Sequence, residues 1–259
     1  MIEDVVRPCH RRRLERTLMP LVGRGNARSC RVEDGVGQRA MARAECGCVG
    51  HHWSMRVDAR RNRERLLTAA RDAFVEQGVD VALEDIASRA GVGIATLYRR
   101  FPDRVALMRA VALHVLGQVA TEARAALAEE TDSFWALARY LHRALDLRIA
   151  AVMPMLDGKV DVAHDEALTR AREELAPLFE AIVQAAWRSG QLRTDVGLGD
   201  IGLMVIRLAR PLPAAFPRQF DDAAAHRQLD VMLDGLRAEH ARGTAPGLSL
   251  DDVRDRRTD

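Results

Sequence analysis

Lysine is almost missing from this chain: Lys159 stands alone among 39 basic residues. The bias fits a GC-rich genome and carries no functional weight. Cysteine is missing beyond residue 48, since Cys9, Cys30, Cys46 and Cys48 all fall in the first 54 residues. Nothing later can depend on a disulfide, and a reducing cytoplasm is the expected location. No apolar run reaches the roughly 18 residues of a membrane helix, stretches such as 201–208 being too short, so no membrane partner is expected. Near the N-terminus Glu3 and Asp4 accompany the arginines, with no continuous apolar segment and small-residue cleavage site, which argues against a secretory signal. Catalytic patterns are absent too. His114, His142 and His164 are scattered, with no cysteine in reach and no Gly-x-Ser-x-Gly elbow, so neither an enzyme nor a cofactor is expected.

What is present is 259 residues, enough for one large or two small domains, with a formal charge of only +2. The total hides an uneven distribution. Residues 1–54 carry ten arginines against six acids, and residues 55–110 carry eleven against eight. Residues 111–259 carry eighteen basic residues against twenty-three acids. A polyanion should therefore be met by the first 110 residues and repelled by the rest.

Residues 1–54 hold no sustained period and are expected to be an irregular extension. The compact text beginning at Met55 suggests that they come from an over-extended start assignment. Within them Cys46-x-Cys48, followed by His51 and His52, with Cys9, His10 and Cys30 as spare ligands, could be read as a metal cluster. The paired cysteines are closer than structural zinc sites usually allow and lack a supporting element, so no metal is expected.

From Arg61 to Gln77 there is no Gly or Pro, and Leu66, Ala70, Ala73, Phe74 and Gln77 recur at helical spacing, with Gly78 as the stop. Further helices are expected over 83–90, 94–101, 103–128, 133–153, 165–189, 200–210 and 222–241. Asp103, Ser133 and Asp200 stand where N-caps or first-turn acids belong. No stretch alternates with period 2. The fold class is all-α: a small helix-turn-helix domain over 55–117, a helical bundle over 118–241, and a polar tail over 242–259 expected to be disordered.

Residues 83–102 read LEDIASRAGVGIATLYRRFP. Ile86, Ala90, Val92 and Leu97 make an apolar patch joining two short helices, Ala87 is small where they would cross, and Gly91 can take the left-handed conformation that turns the chain. The second helix offers Gly93, Ile94, Ala95 and Thr96 at its start, where base edges are read, and Tyr98, Arg99 and Arg100 further along for phosphates. Arg104, and the arm residues Arg60 and Arg61, could add backbone contacts. A plain helical hairpin would not need so early a glycine turn or helices so short.

Residues 60–110 resemble the N-terminal domain of TetR-family transcriptional regulators, through the apolar helix 61–77, Asp85-Ile86-Ala87, Ala90-Gly91-Val92 and the joined LYRRFPDR. The resemblance implies a homodimer whose reading heads engage successive major grooves of a palindromic double-stranded operator, and a helical domain with a pocket for a small-molecule effector. It assigns base reading to Gly93, Ile94, Ala95 and Thr96, and phosphate clamping to Tyr98, Arg99 or Arg100, and Arg104. Gly93 and Ile94 stand where many relatives carry polar residues, which shifts weight to thymine methyls and DNA shape. Arg104 replaces a usual lysine and keeps the charge.

In the acidic half, Trp135, His142, Met153 and Phe179 would line the pocket, with Arg148 and Arg207 as anchors for an anionic effector. The plainer reading, that Trp135 and Met153 are core and the arginines reach to water, stays open. Leu229, Met232, Leu233 and Leu236 form a stripe at i, i+3, i+4 and i+7, expected to pair two subunits. A helical protein-binding adaptor with a degenerate helix-turn-helix is the alternative to a regulator.

Overall fold

Three helices of this chain start on capping aspartates. The computed structural model describes residues 49–162, 164–212, 216–241 and 247–255. The helices are α1 (Val49–Gln77), α2 (Leu83–Ala90), α3 (Ile94–Arg100), α4 (Arg104–Glu129), α5 (Ser133–Asp146), α6 (Ile149–Val152), α7 (Glu166–Arg188), α8 (Leu198–Leu208), α9 (Arg218–Gly235) and α10 (Leu250–Asp255). Asp103 Oδ1 accepts the amide of Ala106 at 2.7 Å, starting α4. Asp132, one residue ahead of the expected Ser133, accepts the amides of Phe134 and Trp135 at 2.9 Å each. Asp165 accepts those of Ala167 and Leu168 at 3.0 and 3.1 Å. Each side chain satisfies amides that a helix start otherwise leaves unpaired.

The long α4 is the axis. Leu107, Val111, Val115, Leu116, Val119 and Ala123 are buried along it, on more than one face, because α1, α5 and α7 all pack around it. One continuous apolar core runs from Leu66 and Phe74 of α1 through α4 to Ile182 of α7 and Leu233 of α9. Among the described residues no strand forms; an isolated bridge joins Leu192 to Arg237.

Several boundaries differ from the sequence expectation. Helix α1 begins at Val49, within the stretch expected to be irregular, because no proline interrupts a cooperative helix there. The expected helix 133–153 breaks after Asp146. Arg148 adopts a left-handed φ of 55°, and its guanidinium is held by Asp222 of α9. Helix α9 starts four residues before the expected 222 and ends at Gly235, where the chain is drawn onto the segment after α7. There Arg193 donates its amide to Leu236 at 3.0 Å, and Ala238 donates to Gln191 at 2.9 Å.

The tail expected to be disordered is docked over residues 247–255. The Gly199 amide donates to the Leu248 carbonyl at 2.8 Å, and Asp200 Oδ2 accepts the amides of both Gly197 and Leu248 at 2.8 and 2.9 Å. A Cβ on Gly197 would collide with the Leu248 carbonyl, so only glycine lets the two backbones approach. The cysteines of the considered metal cluster lie outside the described residues.

Asp165 also bridges elements, since Arg109 of α4 grips both of its carboxylate oxygens. That hydrogen-bonded guanidinium, together with the two capping amides, holds the Asp165 carboxyl below its ordinary range against the opposing effect of burial. A depressed folded-state value means stability that is present above the ordinary carboxylate range and is lost as pH falls through and below it. Asp165→Ala should cost about 1–2 kcal/mol at pH 7, chiefly the cap. Asp165→Asn should keep the cap and lose only the acid-sensitive part. Urea melts between pH 3 and 7 should show wild type and the Asn variant converging at the acid end.

Candidate nucleic-acid interface

The reading head is built by local sequence. Helix α2 ends at Gly91, whose φ of 66° lets its amide reach back to the carbonyls of Ala87 and Ser88. Val92 then donates to the Ala87 carbonyl at 3.0 Å, and α3 starts two residues later. Ile86, Ala87, Ala90, Leu97 and Phe101 are buried together, so the inner face of α3 is fixed by packing. Its outer face is thereby also fixed. Gly93, Ala95, Tyr98 and Arg99 are exposed and Thr96 lies at the edge. Tyr98 is 47% exposed, so its ring and hydroxyl are open to a partner on that face.

The other expected contacts are distributed differently. Ile94 is partly buried and packs against the core, which takes it out of the centre of the reading face and makes that face less apolar than the sequence suggests. Arg100 is half-buried beside the exposed Arg99. Arg60 and Arg61 are exposed on α1, with Arg60 Nε on Glu64 at 2.9 Å. Arg104 departs most from expectation. Its Nη1 donates to the carbonyls of both Val79 and Val81 at 2.6 Å, pinning the turn between α1 and α2. The turn leaves those carbonyls without amide partners, and a guanidinium satisfies two at once.

Deeper in the bundle a cavity of about 230 Å³ lies between α5, α6, α7 and α8. Met153 and Phe179, two of the residues proposed for the pocket, line it, joined by Tyr140, Ile149 and Val205, with Arg172 also contributing. Tyr140 and Phe179 stack at 5.5 Å between ring centres, and burial pushes the Tyr140 hydroxyl well above its ordinary range. The remaining four expected lining residues lie elsewhere. Trp135 is 54% exposed, because its place on α5 faces away from the core. His142 stacks on His226, Nδ1 to Nδ1 at 2.8 Å, and its Nε2 meets Asp230 at 3.1 Å, so it ties α5 to α9. Arg148 is engaged by Asp222, and Arg207 is exposed on α8. Composition nominated these residues; their position around the helix decides against them.

The expected pairing stripe also turns inward. Leu229, Leu233 and Leu236 are 2%, 5% and 4% exposed, and Met232 is half-buried: the stripe is how α9 joins its own core. The outward face of α9 carries Phe220 and Val231, with Arg227 between them, and Phe216 stacks on Phe220 at 5.7 Å. Phe220, Arg227 and Val231 share that face at i, i+7 and i+11.

Comparison with known proteins follows the same division. Residues 66–111 match the model of bacterial regulatory proteins of the tetR family, and residues 132–238 match the SbtR-like transcriptional regulator C-terminal domain. A crystal structure of a TetR transcriptional regulator from Streptomyces coelicolor is 33% identical, with a TM-score of 0.52 over 68% of this chain and 98% of that one. One from Mycobacterium vanbaalenii is 30% identical, with a TM-score of 0.50 over 71% and 99%. The HTH-type transcriptional repressor KstR2 of Rhodococcus jostii is 26% identical over 69% of this chain and 92% of its own length. With a helix-turn-helix whose outer face is open and whose two halves match in order, the chain belongs to the TetR family of DNA-binding transcriptional regulators.

Proposed function

We propose that the protein acts in the cytoplasm as a homodimeric repressor that leaves a palindromic operator when a small-molecule effector enters the cavity between α5, α6, α7 and α8. The observation that carries the DNA side is the exposed face of α3, where Ala95, Tyr98 and Arg99 project from a helix locked from behind by Leu97. Ala95 and Thr96 read base edges, while Tyr98 and Arg99 hold phosphates. Likeness to a protein named as a repressor supports the sign of regulation.

The cavity supports an effector that is compact and mostly apolar, since about 230 Å³ is below the usual range for drug-sized ligands. Such a ligand acts by favouring the arrangement of helices that has the larger cavity, and DNA opposes it to the same extent by linkage. The outward face of α9, with Phe220 and Val231, supports the pairing of two copies, which would space the two heads on the operator.

The test is a binding titration on the promoter of the protein's own or neighbouring genes at several salt concentrations. Affinity should fall steeply with salt while sequence preference is kept. Tyr98→Phe and Arg99→Ala should weaken binding by similar factors on all sequences, and Arg99→Ala should reduce the salt slope by about 1. A changed preference between operators would make the altered residue a base reader and overturn its phosphate role.

A further inference from the structure

A second and larger space lies outside the regulatory cavity: a cleft of about 1150 Å³ formed by α1 and the middle of α4, reaching Arg143 of α5 and Arg89 of α2. Six arginines line it against three acidic residues. The three acids are already engaged. Glu64 holds Arg60 at 2.9 Å, Asp72 holds Arg71 at 2.8 Å, and Glu122 holds Arg143 at 3.1 Å. Among the described residues no carboxylate pairs with Arg61, Arg63 or Arg65.

The floor of the cleft supplies a second, independent observation. His114 Nε2 and Gln118 Oε1, one helical turn apart on α4, are sealed from water and have no hydrogen-bond partner, a costly state for buried polar atoms. Burial, reinforced by the charges of Arg63 and Arg71 and opposed by Glu64, holds His114 below its ordinary range. Its ring is therefore neutral at pH 7, and Nε2 can donate or accept according to tautomer. Unpaired positive charge above an orphaned amide oxygen and an imidazole nitrogen has a complementary chemistry. A negative group answers the arginines. A hydroxyl or amine donor answers Gln118 once its amide, whose oxygen is sealed from water without a partner, rotates toward the cleft that its side chain lines.

We propose that this cleft is a binding site for a small organic anion bearing a hydroxyl or amino group, with Arg63 at the anionic end and Gln118 and His114 at the polar end. The site is separate from the apolar cavity between α5 and α8 and takes ligands of opposite character. Its position gives it a regulatory use, which rests on the repressor reading above. The cleft spans α1 and α4, which carry the reading head, and along its other flank the Arg65 guanidinium lies against Gly91 at the helix-turn-helix turn. An anion drawing these arginines together fixes the angle at which α3 is presented.

Binding is measured first without DNA, by calorimetry on the full chain with two probes, glycerol 3-phosphate and citrate. At least one should bind saturably with a dissociation constant below about 1 mM. Arg63→Gln should weaken it at least tenfold. Gln118→Leu should do the same while melting no lower than wild type, because it removes a buried unsatisfied oxygen. Absence of saturable binding by both probes, or binding unchanged in both variants, overturns the site. An Arg63→Gln variant that loses DNA affinity uniformly while neither probe competes with DNA overturns the regulatory use and makes Arg63 part of the DNA contact. Because the first measurement contains no DNA, failure of the repressor reading leaves it decisive.

Discussion

Leu233→Asp should lower the stability of the whole chain by about 4 kcal/mol or more, and it should do so whether or not the protein is a dimer. Leu233 is 5% exposed and belongs to the continuous core with Leu229 and Leu236, facing α5 across the packed interior. Removing a buried leucine costs about 2–5 kcal/mol by itself. The aspartate adds the cost of burying a carboxylate in that apolar core. Val231→Asp is the contrasting change two residues away. Val231 is 57% exposed on the opposite side of α9, so the monomer's stability should move by less than about 0.5 kcal/mol. If two copies meet on the face of Phe220 and Val231, that carboxylate sits in the interface and the dimer weakens at least tenfold. Urea melts and sedimentation of both variants separate the cases. Monomers from Leu233→Asp with unchanged urea midpoint would return the interface to the 229–236 stripe.

That pair of residues shows what a sequence period can and cannot say. The spacing of Leu229, Met232, Leu233 and Leu236 establishes that one face of the helix is apolar and must be covered. It does not say whether the cover is the chain's own α5 or another subunit, because both present the same hydrocarbon surface. The second stripe, with Phe220 and Val231, is diluted by Arg227, Gln228 and Asp230, so its spacing alone does not mark a face that must be covered. Burial separates the two at once.

The reading head was legible for the converse reason. Gly91, Ala87 and Leu97 act within about ten residues of one another, and the left-handed turn, the close helix crossing and the buried anchor are all local requirements. The same holds for Asp103, whose cap involves only the next three residues. Arg104 was not legible, because its carbonyl partners at Val79 and Val81 come to it only when α1, α2 and α4 have packed. Trp135, His142 and Arg148 failed as cavity residues on the same ground. Residue type suggested a pocket, whereas the direction of Trp135 and His142 depends on which side of α5 meets α4 and α7, and that of Arg148 on the left-handed turn that leads to Asp222.

Leu97→Ala should test how far the locally encoded head is also an energetically separate one. Leu97 is fully buried between the two short helices, so its truncation should cost about 2–5 kcal/mol. Helix α3 has only seven residues and no side-chain cap at its start, hence little stability of its own to offset the loss. The loss should therefore fall first on α2 and α3. Amide exchange there should accelerate by one to several factors of ten, while the α4–α7 interior, packed through Val115, Val119 and Ile182, should change little. Operator affinity should drop in proportion to the fraction of heads left folded, with the salt slope preserved because the residues proposed to hold phosphates are unchanged. Equal acceleration in α3 and α7 would instead mean that the core shared through α4 makes the two halves one cooperative unit. An effector then need not tilt a rigid head at all, since loosening α4 anywhere along its length would release it from DNA.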